Sequence, residues 1–456
     1  MNQMFVEEPA RKLPATEVDV VVAGGGTAGV VAAIAAARQG ASTVLIESKG
    51  YPGGLVVEGG TALHSYFNVW KPFPGVEKRQ VVRGIAQEII DRLAEKGGTS
   101  GHVEVAQGAD YDGICTCVDT EITKLVLFEM LREAGVRVCV NTLVAGAVME
   151  GGAIKALIAE SRSGREAFVA KAYVDCTGYG DLSAFAGAEF TEPNDHAVAN
   201  SAGVAGVDLE GLHRYLVECG ALQELAYGER SGKPNQIIRL NARMSKLPEA
   251  FRTEAARIGL SLQLTTLHDG YIMFLKLNLM PEASPVSRDE AAKLELALRQ
   301  RQADAIALLR REIPGCENAF IARTSPTVSI RRGRRIVCDY DITLEDVTEG
   351  RHFADDIMAY GFHDMAPRYQ IKDGGTYGVP YRALLPTGVE NLFVSGMLIT
   401  SDFRAHMSTR NTVCCMGQGQ AAGTAAALCA REGVGTRQLP YAALRQALEQ
   451  GGVYFE

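Results

Sequence analysis

The chain has 456 residues, 47% hydrophobic and 22% charged, the balance of a soluble globular protein too long for one ordinary core. A net charge of −8 argues against a general nucleic-acid binder, which needs a basic face. Ten scattered cysteines without C-x-x-C spacing or a four-cysteine run argue against a disulfide scaffold or a zinc or iron–sulfur site, and no metal is expected.

Taken in order, MNQMFVEEPARKLP has no apolar core followed by a cleavage site, so residues 1–16 read as a loose or partner-contacting arm of a cytoplasmic protein. Residues 20–37 carry no charge, but the glycine turn inside them speaks against a membrane span. Val18 to Ala23 reads as a buried strand, Val30 to Gln39 as an Ala-rich helix stopped by Gly40, and Thr43 to Ile46 as a second strand closed by Glu47. Gly24-x-Gly26-x-x-Gly29 joins the first strand to the helix. Strand, tight turn, helix, strand and acid together form a dinucleotide fingerprint. Gly24 permits the turn, Gly26 admits a pyrophosphate, Gly29 lets helix and strand pack closely, and Glu47 stands where a ribose needs a carboxylate. The plainer alternative is a glycine-rich turn with no ligand.

Beyond Glu47, the pairs Gly53-Gly54 and Gly59-Gly60 imply backbone against something flat or against another backbone. Residues 66–75 are aromatic and proline-rich, Arg83 to Lys96 is an amphipathic helix, 99–117 reads as loop, and Thr120 to Ala134 as a second helix. Segments 136–140, 143–150, 153–160 and 166–176 read as an antiparallel meander feeding back into the parallel sheet. Its last strand ends in DCTGYGD (175–181), small residues suited to the crevice at the carboxyl ends of the strands. From 182 to about 375 the texture changes: helices at 208–230, 246–259 and 288–312, and a hairpin at 260–279. The first texture returns at 377–382 and 391–397. A final helix from Ser408 to Arg431 carries Gly417, Gly419 and Gly423 on a small face.

Three separated motifs, GGGTAG with Glu47 and Gly53-Gly54, DCTGYGD, and ENLFVSGM with Ser408-Thr409-Arg410 and GQGQAAGTAAAL, make the chain resemble a two-domain FAD-dependent oxidoreductase of the glutathione-reductase-like superfamily. The mid-chain Arg331-Arg332-Gly333-Arg334-Arg335-Ile336 with Asp346, then Ala354 to Ile357 and Phe362-His363-Asp364, matches the pattern of the FAD-dependent oxidoreductase family. The resemblance covers roughly 17–430. It implies an α/β fold: a Rossmann-like FAD-binding domain with parallel sheet and antiparallel β-meander, plus an inserted α+β cap or substrate domain. The expected division is 17–66, 118–182 and 377–434 for FAD, 67–117 and 183–376 for the cap, and 435–456 as a C-terminal helix or tail. It implies FAD at Gly24, Gly26, Thr27, Ala28 and Gly29, with Glu47 and Ser48 at the adenosine ribose. Thr177, Gly178 and Asp181 would lie on the adenine side, Gly53, Gly54 and Thr61 at the flavin edge, and Gly396, Met397 and Gly417 toward the ribityl chain and ring. No second nucleotide fingerprint is present, so the electron partner is oxygen, a small molecule, a protein, or nicotinamide bound without that motif.

Flavin supplies the redox chemistry, leaving the protein a substrate grip and a proton group. His406, His363 and His64 are the candidates for the latter, because imidazole titrates near operating pH. His64 has a further alternative, covalent flavin attachment, as in fumarate-reductase relatives. Arg410, beside Ser408, suits a carboxylate, its alternative being a phosphate or structural partner. The Arg331–Arg335 cluster reads as structural pairing to Asp339, Asp341 and Asp346. The expected function is oxidation or reduction of a C–H, C–N or C=C bond in a small carboxylate-bearing molecule, without nucleic acid or membrane, in a chain compatible with a homo-oligomer. The alternative is a non-catalytic nucleotide-binding or RNA-modifying flavoprotein of the same fold.

Overall fold

The computed structural model describes residues 6, 8–61, 63–64, 79–107, 113–361, 371–372 and 375–456, with His64 described in its backbone alone. The aromatic stretch 66–75 and His363 lie outside the described residues.

β1 (Ala15–Ala23) carries Glu17 and Asp19 in its exposed or half-buried first part and ends in the uncharged, buried run Val20–Ala23, and α1 (Thr27–Arg38) follows directly. Then come β2 (Thr43–Ile46), α2 (Leu55–Gly59), β3 (Leu63–His64), α3 (Ile85–Glu95), β4 (Val103–Gln107), β5 (Ile114–Thr116) and α4 (Thr120–Glu133). The chain continues through β6 (Arg137–Cys139), β7 (Leu143–Glu150), β8 (Ala153–Ser161), β9 (Gly164–Asp175) and α5 (Asp181–Phe185). The first sheet has the order β6-β2-β1-β9-β8-β7. β6, β2, β1 and β9 run parallel, while β8 and β7 return antiparallel. The meander therefore does feed back into the parallel sheet through β9. The segment 136–140 stands apart from it, its β6 lying parallel to β2 at the far edge.

The second half runs β10 (Phe190–Thr191), β11 (Val198–Ala199), β12 (Ala202–Ala205), α6 (Leu209–Glu218), β13 (Leu222–Arg230), β14 (Lys233–Ala242) and α7 (Glu249–Ile258). β15 (Leu260–Thr265), β16 (Tyr271–Leu279), α8 (Arg288–Glu312), β17 (Phe320–Thr324), β18 (Arg335–Ile336) and α9 (Leu344–Thr348) follow. Last come β19 (Asp356–Tyr360), β20 (Tyr377–Pro380), β21 (Leu392–Val394), α10 (His406–Thr409), α11 (Thr412–Glu432) and α12 (Tyr441–Gln450). A second, antiparallel sheet has the order β17-β12-β16-β15-β14-β13-β4-β5-β3, and its core packs against α6, α7 and α8. β21 returns to the first sheet, parallel to β9.

Four expectations are corrected. The stretch 99–117 is not loop: β4 and β5 extend the second sheet. The expected helix 208–230 stops at Glu218, and 222–230 is β13, because pairing with β14 and β4 on either side outweighs the helical leaning of LQELA. The strand at 377–380 pairs with β19 in a separate hairpin, not with the nucleotide sheet. The expected single C-terminal helix is two, since Asn411 leaves the helical path and caps α11 by accepting a hydrogen bond from the Val413 amide.

α11 crosses α1 so closely that a Cβ on Gly419 would lie 2.2 Å from the Ala28 carbonyl oxygen, and one on Gly423 2.0 Å from that of Ala32. The glycines bring the C-terminal helix against the helix that follows the fingerprint turn. Everything between 395 and 411 is thereby delivered to the same end of the sheet.

Candidate functional site

The fingerprint turn has the shape a pyrophosphate needs. Gly24 sits at φ +94°, and a Cβ there would lie 2.4 Å from the Cys176 carbonyl oxygen. A Cβ on Gly29 would lie 1.8 Å from the Gly24 oxygen, so that glycine is required by helix–strand approach. At Gly26 the opposite holds: nothing stands within 4 Å of the Cβ position, and α1 begins there without a side-chain cap. The first amides of α1, at Thr27, Ala28 and Gly29, thus face the open side of the turn with no acceptor inside the helix. Glu47 is buried and accepts hydrogen bonds from the Gly25 amide (2.7 Å), the Lys49 amide (2.7 Å) and the Ser48 hydroxyl (3.1 Å). An ionised carboxylate has about four acceptor positions, so one remains, and rotation of Ser48 frees another for a ribose hydroxyl.

Gly53 resolves the expectation about the glycine pairs. It bridges to Gly26 in parallel fashion, its amide donating to the Gly25 oxygen at 2.8 Å, and the Gly54 Cβ position lies 3.0 Å from Gly26 Cα. These glycines meet another backbone, and that backbone is the fingerprint turn. α2, which follows, ends against the second sheet. Arg323 on β17 donates to the oxygens of Glu58 (2.5 Å), Gly59 (3.3 Å) and Met273 (2.8 Å), and the Thr265 hydroxyl donates to Gly60 (2.7 Å). Thr61 follows directly on this joint.

Asp175 at the end of β9 is an internal organiser. It accepts from the Thr177 amide and hydroxyl (3.0 and 2.7 Å) and from the Ser183 amide and hydroxyl (2.8 and 2.7 Å), which shapes the 176–183 loop. Asp181 pairs with Arg334 at 2.8 Å; burial raises its carboxyl above the ordinary value against that pairing. Gly178 sits at φ +81°, its Cβ position 3.7 Å from Met397 Cε, and the Gly396 Cβ position is 3.3 Å from Ala28 Cβ. Thr177, Gly178, Gly396 and Met397 are therefore brought to the rim of the fingerprint turn. Gly417 is not: its Cβ position points at Met358 Sδ, 2.5 Å away, which gives it a packing reason instead.

From Gly396 the chain leads to a buried polar cluster. Gln418 on α11 accepts from the Gly396 amide (3.0 Å) and donates to the Thr409 oxygen (2.9 Å), tying the segment at both ends. His406 is 1% exposed and its Nε2 donates to the Arg331 carbonyl oxygen at 3.0 Å. Burial, then the nearby Arg332 and Arg410 charges, hold its pKa well below the ordinary value, so it stays neutral. Its ring meets that of His196 edge-on, centroids 5.1 Å apart, and the Phe403 ring, tilted, has its centroid 4.9 Å from that of His196. His196 Nδ1 is 2.6 Å from Asp195 Oδ1, and Asp195 Oδ2 pairs with buried Arg332 at 2.8 Å. Burial pushes the Asp195 carboxyl up, but the His196 hydrogen bond and the Arg332 charge outweigh it and leave it lowered. Arg332 also donates to the Ser401 oxygen at 2.6 Å. Arg410 closes the cluster, its Nη2 3.8 Å from Met407 Sδ.

Sequence reasoning found His406 and Arg410 but missed Asp195, His196 and Arg332, which arrive from two distant segments. The Asp195-His196 pair was the available signal. The arginine cluster does pair with acids, with partners partly other than expected. Arg335 pairs with Asp341, but Arg332 pairs with Asp195 and Arg334 with Asp181, while Asp339 pairs with Arg437 and Asp346 caps α9. All ten cysteines are free, eight of them buried. Among the described residues there is no group that could hold a metal ion, and no helix long and apolar enough to cross a membrane.

A parallel sheet whose first turn leaves an open anion-binding cradle, with a buried acid at the second strand, defines a dinucleotide-cofactor protein. The chain belongs to the FAD-dependent oxidoreductase family, whose model matches residues 19–448, and FAD is its cofactor. A geranylgeranyl bacteriochlorophyll reductase-like protein of Thermoplasma acidophilum shares the fold: 14% identity over 96% of this chain and 83% of its own, TM-score 0.50. The myxobacterial chondrochloren halogenase CndH aligns at 13% identity over 95% and 78%, TM-score 0.48. The p-nitrophenol 4-monooxygenase PnpA of Pseudomonas putida aligns at 12% over 96% and 89%, TM-score 0.46. No curated protein sequence matches the chain.

Proposed function

We propose that this oxidoreductase acts on a C–H, C–N or C=C bond of a small carboxylate-bearing molecule, held where the 396–411 segment meets the second sheet. FAD would lie along Gly24, Gly26 and Gly29 with its adenosine ribose at Glu47, and would supply the two-electron chemistry. The observation that carries the reading is the buried cluster of His406, His196, Asp195 and Arg332. It is tied through Gln418 to Gly396 at the rim of the fingerprint turn. Arg410 would orient the substrate carboxylate, which a guanidinium grips in two places. On this reading the second sheet with α6, α7 and α8 forms the inserted substrate domain.

The test begins with an absorbance spectrum of the purified protein and a second spectrum of the supernatant after acid precipitation. The flavin band moves to the supernatant if FAD is dissociable; colour kept in the pellet assigns a covalent bond and turns attention to His64. Anaerobic bleaching by small carboxylic acids, and slower bleaching in Arg410→Met, supports the substrate class. Bleaching only by molecules without a carboxylate overturns it.

A further inference from the structure

His196 and His406 present an imbalance of donors and acceptors. A carbonyl oxygen can only accept, so the Arg331 contact places the His406 hydrogen on Nε2 and leaves Nδ1 a bare lone pair. The Asp195 carboxylate likewise places the His196 hydrogen on Nδ1, so the Nε2 of neutral His196 is also bare. Both of these bare nitrogens are buried and have no hydrogen-bond partner among the described residues. The residues are 7% and 1% exposed, and their rings are in contact. A buried acceptor without a donor costs about 1–3 kcal/mol, so the missing complement is a donor from outside the chain. A carboxylate cannot supply it, being acceptor-only when ionised. A cation is disfavoured by Arg332 and Arg410, whose charges both reach His406. The amine of an amino acid is itself a cation at neutral pH, so what remains is a neutral hydroxyl, with water as its stand-in between substrates.

We propose that His196 Nε2 receives a hydroxyl group of the substrate as a hydrogen-bond donor, and that the Asp195–His196 dyad takes its proton. This rests on the reading that the cluster borders the substrate. The O–H bond breaks heterolytically: the proton goes to His196 Nε2, the electron pair stays on the oxygen, and the imidazolium lies against Asp195. A hydroxyl carries one hydrogen and serves one nitrogen, so a water supplies the donor to His406 Nδ1. His406 does not take the proton, because a charge there would be buried beside two arginines. The substrate class narrows to hydroxy acids, with the carboxylate on Arg410 and the hydroxyl on His196.

The test uses holoenzyme with ring-¹⁵N histidine, read by long-range ¹H–¹⁵N NMR, with glycolate as probe and methoxyacetate, its methyl ether, as control. His196→Asn keeps the donor to Asp195 and His406→Gln keeps the donor to Arg331, while each removes the bare nitrogen. Both rings should show one protonated and one bare nitrogen, and glycolate should shift the bare nitrogen of His196 while methoxyacetate does not. His196→Asn should weaken glycolate binding about tenfold, the worth of one buried hydrogen bond, and His406→Gln should weaken it by less. A protonated Nδ1 on His406, equal effects of the two probes, or no shift with either overturns the proposal. Failure of the oxidoreductase reading would appear separately, as a protein that carries no flavin while the nitrogen resonances still report on the rings.

Discussion

Gly26→Ala separates the fold from the cofactor. Gly26 has φ −64° and ψ −177°, a conformation alanine adopts freely, and nothing lies within 4 Å of the new methyl. Restricting the unfolded chain gains about 0.4–1 kcal/mol, and the poorer N-cap preference of alanine loses a similar amount. The apo-protein should therefore melt within about 2 °C of wild type. The methyl nevertheless stands where the pyrophosphate must approach the first amides of α1. Two amide hydrogen bonds to a charged oxygen are worth about 1.5–3 kcal/mol each, so their loss weakens FAD binding by roughly 10²–10⁴-fold. Fluorescence titration of apo-protein with FAD, beside thermal melts of the same samples, measures both quantities. Gly24→Ala and Gly29→Ala serve as contrasts, because their methyls would meet backbone oxygens at 2.4 and 1.8 Å and should lower the apo melting temperature itself. A Gly26→Ala protein that binds FAD as tightly as wild type would refute the placement of the pyrophosphate on this turn.

Three further outcomes are expected. Arg323→Met leaves the carbonyls of Glu58, Gly59 and Met273 without their guanidinium donor and should cost about 2–4 kcal/mol in denaturant melts; an unchanged midpoint would show that α2 is not held by this clamp. Gly423→Val drives a side chain into the Ala32 carbonyl oxygen and should cost at least about 1–3 kcal/mol, read by the same melts, with α1 and α11 forced apart. His268, on the turn between β15 and β16, pairs with Asp119, the N-cap of α4. That hydrogen bond raises the His268 pKa above its ordinary 6.5; at Asp119 burial pushes upward, but the bonds from His268 and the Ile122 amide leave it below 3.8. The histidine's contribution is complete below pH 6.5 and lost as pH rises through its raised value, whereas that of Asp119 is complete above 3.8 and lost in acid. His268 is half-exposed, so the effect is held to under about 1 kcal/mol. His268→Gln should flatten the fall in melting temperature between about pH 6 and 8; an unchanged slope would remove the pair from the account.

The nucleotide half is legible from the residues alone, because its chemistry is local. The roles of Gly24, Gly26 and Gly29 follow from contacts within one βα turn, and Glu47 lies one strand further on. The strands from 143 to 175 were legible for the same reason: short turns leave a meander little choice of partner. Where partners are remote, local preference misled. The segment 222–230 leans helical alone and is a strand between β14 and β4. The space beside Gly417 is filled by Met358, a residue remote in the chain. The polar cluster was the least legible part. His406 and Arg410 share a motif, but Asp195 and His196 come from the loop before β11 and Arg332 from the loop before β18. Only the tertiary fold, which sets α10 beside the loops before β11 and β18, brings the two imidazoles together. The acceptors met there, the Arg331 carbonyl and Asp195, decide which ring nitrogens are left bare, and burial keeps them so.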